Sequence, residues 1–245
     1  MMRILAIAVS LLLLSQGAAA QIPPLGDLLP PGDASTSGRI IQYVLLLTVL
    51  SVAPSILIMV TSFTRFIVAF SFLRAALGMQ STPANLVITS LSLFLTFFVM
   101  APTFDKAWKD GLQPLVENRM TETEAFEKIT DPFRQFMLGQ VREKDFVMFQ
   151  EIAEERFGAP TATAKTELRV LVPAFMISEL RRGFEIGFLI SLPFLIIDLI
   201  VATITMSMGM MMLPPTVISL PFKVLFFVLI DGWSMLAGSL IKSFS

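Results

Sequence analysis

The ten residues MSMGMMMLPP, from Met206 to Pro215, interrupt a long apolar stretch with one glycine, a proline pair and five of the chain's fifteen methionines. On either side lie apolar runs of helical length, Ile186 to Ser207 and Thr216 to Ile241, so the segment reads as the tip of a helical hairpin. A turn that only reverses direction is served by Gly, Asn, Asp or Ser. Methionine is unbranched and polarizable, and it packs against surfaces of changing shape. On these residues two readings stay open: a tip buried among its neighbours, or a soft seal that closes around nothing and yields to a passing polymer.

Composition sets the environment. Of the 245 residues 55% are hydrophobic and only 15% charged, with a mean hydropathy of +0.77, whereas soluble domains carry about 25% charged residues. The chain reads as a membrane protein. A net charge of -1 describes no basic surface, so no nucleic-acid partner is expected. Without His or Cys, the chain offers no disulfide, thiolate nucleophile, Cys/His zinc site or histidine base. No glycine-rich phosphate loop or G-x-S-x-G elbow is present. No enzyme, cofactor or metal site is expected.

Residues 1–20 read as a secretory signal. Arg3 precedes an apolar core from Ile4 to Leu14, and Gly17, Ala18, Ala19 and Ala20 supply small residues before Gln21. The Pro- and Gly-rich segment 21–39 follows as a flexible lead-in. Between Asp105 and Arg169 lie ten basic and thirteen acidic residues, 23 of the chain's 37 charges, so residues 105–170 form an aqueous domain. Four apolar runs flank it, Ile40 to Val60, Ala84 to Phe104, Ile186 to Ser207 and Thr216 to Ile241, each near the ~20 residues that cross ~30 Å of hydrocarbon. The expected fold is all-α and membrane-associated: two long helical hairpins, 40–104 and 171–245, flank a small helical domain. With the mature chain starting outside, the turn at Thr61 to Pro83, carrying Arg65 and Arg74, lies inside by the positive-inside rule.

Several residues suit lipid poorly. Pro54, Pro193 and Pro221 fall within the runs, as do Asp198, Lys223 and Asp231, and a charge at bilayer depth costs at least ~2.5 kcal/mol. Asp198 and Lys223 both lie 12 to 13 residues from the centre of the methionine loop. At 1.5 Å rise per residue each is roughly 19 Å from the tip, so antiparallel helices bring them level and they are expected to pair, within one hairpin or between neighbouring copies. Upstream, spacing pairs Glu179 with Arg182 and Arg181 with Glu185. In the charged domain Thr121 and Glu124 fit a capping box, Asp131 and Pro132 fit a helix start, and Gly158 with Pro160 fits a stop. Phe126, Ile129, Phe133 and Phe136, then Phe146, Phe149, Ala153 and Phe157, recur at helical spacing and are expected to pack as core, on one another and on neighbouring copies.

The run LVPAFMISELRRGFEIGFLISLPFLIIDLIVATITMSMGMMMLPPTVISLPFKVLFFVLIDGW, Leu171 to Trp233, resembles the FliP family of flagellar biosynthetic proteins and its relatives in virulence type III secretion systems. SFTRFIVAFSFLRAALGMQSTP, Ser62 to Pro83, and NLVITSLSLFLTFFVMAPTF, Asn85 to Phe104, resemble the same family. The resemblance implies a core subunit of the type III export gate in the bacterial inner membrane, with residues 105–170 periplasmic. It further implies a helical homo-oligomer, pentameric, assembled with FliQ and FliR, alongside FlhA and FlhB, and passing unfolded flagellar subunits. On this chain Met206, Met208, Met210, Met211 and Met212 would form a gasket at the narrowest point. The rival readings are a secondary ion transporter using Asp198, Lys223 and Asp231, and a membrane anchor that only presents the charged domain.

Overall fold

A computed structural model describes residues 36–79, 81–158, 168–209 and 214–244. Among these the chain is all-helical: α1 (Thr36–Met59), α2 (Phe63–Ala76), α3 (Asn85–Ala107), a π-helical turn (Trp108–Leu112), α4 (Gln113–Val116), α5 (Glu122–Gln140), α6 (Glu143–Phe157), α7 (Leu168–Ser207), α8 (Pro215–Leu229) and α9 (Gly232–Lys242). The signal sequence expected over 1–20 lies outside the described residues, as does the lead-in up to residue 35. Helix α1 begins at Thr36, inside the segment expected to be flexible. The described residues up to Ser51 belong to one unit and those from Val52 to a second.

The second unit is built around α2. Its Phe66, Ala69, Phe70 and Leu73 are buried with Ile88 and Leu95 of α3, Phe194 of α7, Phe227 of α8, and Leu236 and Leu240 of α9. The stretch expected to be an inside turn is therefore the most enclosed helix of the unit. Arg65 on it is fully buried, so it does not act as an aqueous flank charge. The first apolar region, 40–104, holds three helices where a simple hairpin would hold two.

Helix α2 lies close to α7 because α7 has no side chain at two positions. A Cβ on Gly183 would come within 3.0 Å of Val68, and one on Gly187 within 2.5 Å of the Phe72 ring. Between them Phe184 meets Phe72 edge-on, with centroids 5.0 Å apart. Small residues four apart let two helix backbones approach.

Within residues 105–170, α5 starts at the expected capping box: the Thr121 hydroxyl and the Glu124 carboxylate each bond the other residue's backbone N–H. Asp131 and Pro132 start nothing. Helix α5 runs through both to Gln140, while Asp131 accepts from Arg134 at 3.1 Å and Gln135 at 2.7 Å. Tertiary packing overrides the local signal, since Pro132 is buried where α5 lies on the rest of the unit. The phenylalanines do not form a core of their own. Phe133 packs on Phe104 of α3 and Phe136 on Phe175 of α7, while Phe126 and Phe157 face outward. A domain this small gains more by burying its apolar face on its neighbours than on itself. Helix α6 stops at Phe157, where Gly158 takes a φ of +84°.

Two continuous helical stretches, Asn85–Val116 and Leu168–Ser207, are long and apolar enough to cross a membrane. The run expected from Thr216 to Ile241 is broken. Helices α8 and α9 meet at 64°, with Asp231 in the left-handed region at φ 49°. A Cβ on Gly232 would lie 2.2 Å from the Phe227 ring, so only glycine fits this corner.

Candidate functional site

The hairpin of α7 and α8 carries a charged pair below its tip. Lys223 on α8 is almost fully buried, and its Nζ donates to Asp198 Oδ2 on α7 at 2.5 Å and to the backbone carbonyl of Ala76 at 2.9 Å. The Ser219 hydroxyl, one turn earlier on α8, donates to Asp198 Oδ1 at 2.5 Å. Each carboxylate oxygen thus has a donor. The ammonium also satisfies one of the carbonyls left free at the C-terminus of α2, where a positive charge complements the helix dipole. The cluster ties α2, α7 and α8 together within one chain. Asp231, offered from sequence beside this pair, sits exposed at the α8–α9 corner and makes no capping hydrogen bond with its side chain.

At the tip, Met206 and Met208 are exposed, 66% and 67%, and Gly209 turns the chain at φ +73°. Met210, Met211 and Met212 lie outside the described residues.

A second charged centre lies nearer the start of α7, and there the sequence-based pairing differs. Glu179 does not pair with Arg182. Both its oxygens are taken by Arg65 of α2, Oε2 by Nε at 2.8 Å and Oε1 by Nη2, and both side chains are fully buried. Reaching across from α2, the Arg65 guanidinium lines up its planar fork with both carboxylate oxygens. Arg182 instead donates to Gln140 Oε1 on α5 at 3.0 Å. Arg181 and Glu185 do meet, at 2.8 Å, with both side chains 57% exposed. Next to Glu179, buried Ser178 accepts from the backbone N–H of Arg142 at 3.0 Å and lies 2.7 Å from Asp145 Oδ2, docking the start of α6.

Gln140, Ser178 and Ser219 were missed from sequence, and Arg65 was read there only as a flank charge. Arg65 alone carried a signal, a lone charge inside FTRFIVAFSF, which has to be held by protein. Among the described residues no group of His, Cys, Asp and Glu is placed to hold a metal ion. Among the described residues the buried charges Arg65, Glu179 and Lys223 are each held in an ion pair, and the arrangement offers structural support to the hairpin.

Comparison with known proteins fits this layout. Residues 46–240 match the FliP family model. The flagellar biosynthetic protein FliP of Rhizobium meliloti (strain 1021) is 57% identical over 244 residues, covering 100% of both chains. That of Agrobacterium fabrum (strain C58 / ATCC 33970) is 62% identical over 213 residues, 87% of each chain. That of Bacillus subtilis (strain 168) is 49% identical over 212 residues, 86% of this chain and 95% of its own. With the match spanning both apolar regions, the charged domain and the methionine loop, this chain belongs to the FliP family of flagellar biosynthetic proteins.

Proposed function

We propose that this chain is a pore-forming subunit of the flagellar type III export gate, assembled from several copies of itself with FliQ and FliR. In this reading it works beside FlhA and FlhB in the inner membrane, holds residues 105–170 on the periplasmic side, and passes unfolded flagellar subunits. The observation that carries the proposal is the length and outer face of α7. Its 40 residues extend roughly 60 Å, about twice the hydrocarbon thickness, so lipid cannot surround it from end to end. Yet Ile177, Phe184, Phe188, Leu195, Leu199 and Ile204, roughly 40 Å from first to last, are exposed along it in the single chain. An apolar face that outruns the bilayer calls for other protein subunits.

Met206 and Met208, with Met210, Met211 and Met212, then make the gasket. Soft side chains from several copies meet across a pore and deform around a polypeptide. The pairs Asp198–Lys223 and Arg65–Glu179 hold the helices that carry the loop, and the energy for export comes from other components.

The test is co-expression with FliQ and FliR, native mass spectrometry in mild detergent, and ion-leak measurements in cells. An assembly with several copies of this chain, together with leak when the five methionines become Ala, supports the gate. A monomer, or methionine variants that stay tight and export normally, refutes it. An Asp198→Asn variant that assembles but loses ion flux returns the site to the transporter reading.

A further inference from the structure

Arg65 has five N–H donors, and all five are engaged. Nε and Nη2 serve Glu179, Nη2 also donates to Gln140 Oε1 at 3.1 Å, and Nη1 donates to both the carbonyl and the hydroxyl of Ser243 at 2.8 Å. One face of the guanidinium is covered by the Phe244 ring, whose centroid is 3.6 Å away. That ring packs on Phe66 of α2 at 5.6 Å and stacks on Phe136 of α5 at 6.1 Å. The Phe244 carbonyl accepts from Gln140 Nε2 at 3.3 Å. The turn after α9 therefore supplies two of the five contacts of a fully buried cation and the lid over it.

We propose that residues 243–244 are a latch, which closes over the Arg65–Glu179 pair and by doing so clamps the end of α5 to α2 and α7. The physical reason is that the pair is left incomplete without the turn. A buried guanidinium with two unpaired donors and an uncovered face is strongly disfavoured. Gln140 makes the coupling reciprocal: it touches Arg65, Arg182 and Phe244 at once, so unseating α5 removes the contacts that hold the turn down, and lifting the turn loosens α5. Open and closed are then two discrete arrangements of one element, with α5 free to shift in the first and fixed in the second. This holds whether or not the chain lines an export pore.

The chain contains no cysteine, so an introduced thiol is unique. Full-length Ser243→Cys protein in mild detergent is to be labelled with a maleimide and compared with Phe157→Cys, whose site is exposed. The closed latch predicts labelling about tenfold slower at position 243. Adding Gln140→Ala is expected to bring it to the reference rate. Equal rates for the two single variants overturn the latch, and slow labelling that ignores Gln140→Ala overturns its coupling to α5. Hydrogen exchange on the unmodified protein decides independently of any variant. Amides of Ser243 and Phe244 that exchange as slowly as those of α2 support the latch, and free exchange there refutes it.

Discussion

The Phe72 ring occupies the space that a side chain on Gly187 would need. A Cβ there would stand 2.5 Å from Phe72 Cγ, and at Gly183 a Cβ would stand 3.0 Å from Val68. Gly187→Ala is therefore expected to push α2 off α7 and lower stability by about 1 to 3 kcal/mol. Gly183→Ala is expected to cost less, since a valine one turn away gives more easily than a ring. Denaturant melts of the two variants in detergent check the order, and a Gly187→Ala protein as stable as the parent would contradict the close packing.

Truncating the two ends of the Asp198–Lys223 pair is expected to have unequal effects. Lys223 is 5% exposed at its side chain and Asp198 35%. Asp198→Ala leaves a buried ammonium with only the Ala76 carbonyl and is expected to cost about 3 kcal/mol. Lys223→Met leaves a part-solvated carboxylate still bonded by Ser219, at about 1 kcal/mol or less. The swap of Asp198→Lys with Lys223→Asp is expected to rescue poorly, because a carboxylate at 223 would face the Ala76 carbonyl. Folded yield by size-exclusion chromatography measures all three, and full rescue by the swap would remove Ala76 from the account.

Arg65 is expected to resist conservative replacement. Lysine brings three donors on a point charge where five are used in a plane, so Arg65→Lys should destabilise by about 3 to 5 kcal/mol. Joint replacement of Arg65 and Glu179 by Met and Leu is expected to be far milder. Thermal unfolding that places the double variant below both single ones would show that the pair itself, and not its incompleteness, carries the stability.

Glu124 gives the charged domain a pH dependence. The Thr121 backbone N–H, and then its hydroxyl, hold the Glu124 carboxyl below the ordinary glutamate value. A lowered folded-state pKa contributes stability that is present above the unfolded value near ~4.3 and is lost as the pH falls through the lower folded value. Exchange at the first-turn amides of α5 should accordingly rise on acidification below about pH 4.5, and Glu124→Gln, which keeps an acceptor for the Thr121 N–H but cannot titrate, should remove that rise. A first turn whose exchange, corrected for intrinsic pH effects, is the same at both ends of that window would rule this out.

The Asp198–Lys223 register is legible from sequence because a hairpin with a recognisable tip fixes which positions lie level. Arg65 and Glu179 lie 114 residues apart, on helices that no local pattern relates, so periodicity matched Glu179 to the arginine on its own helix. Asp131 and Pro132 misled in the opposite way: a sound local start signal was overridden by what α5 packs against. The corner at Asp231 was hidden inside an apolar run. Its only cue was Gly232, and the reason for a glycine is the Phe227 ring five residues back.

Helix α7 also has a mechanical consequence. From Asp198, the last point at which it is tied to α2 and α8, to Ser207 at its end are 9 residues, roughly 14 Å of rod. On so short a stub a rotation of about 5° at the tied end moves Ser207 by only about 1 Å. The pair therefore fixes the position of the last turns of α7 instead of enlarging movements made further down.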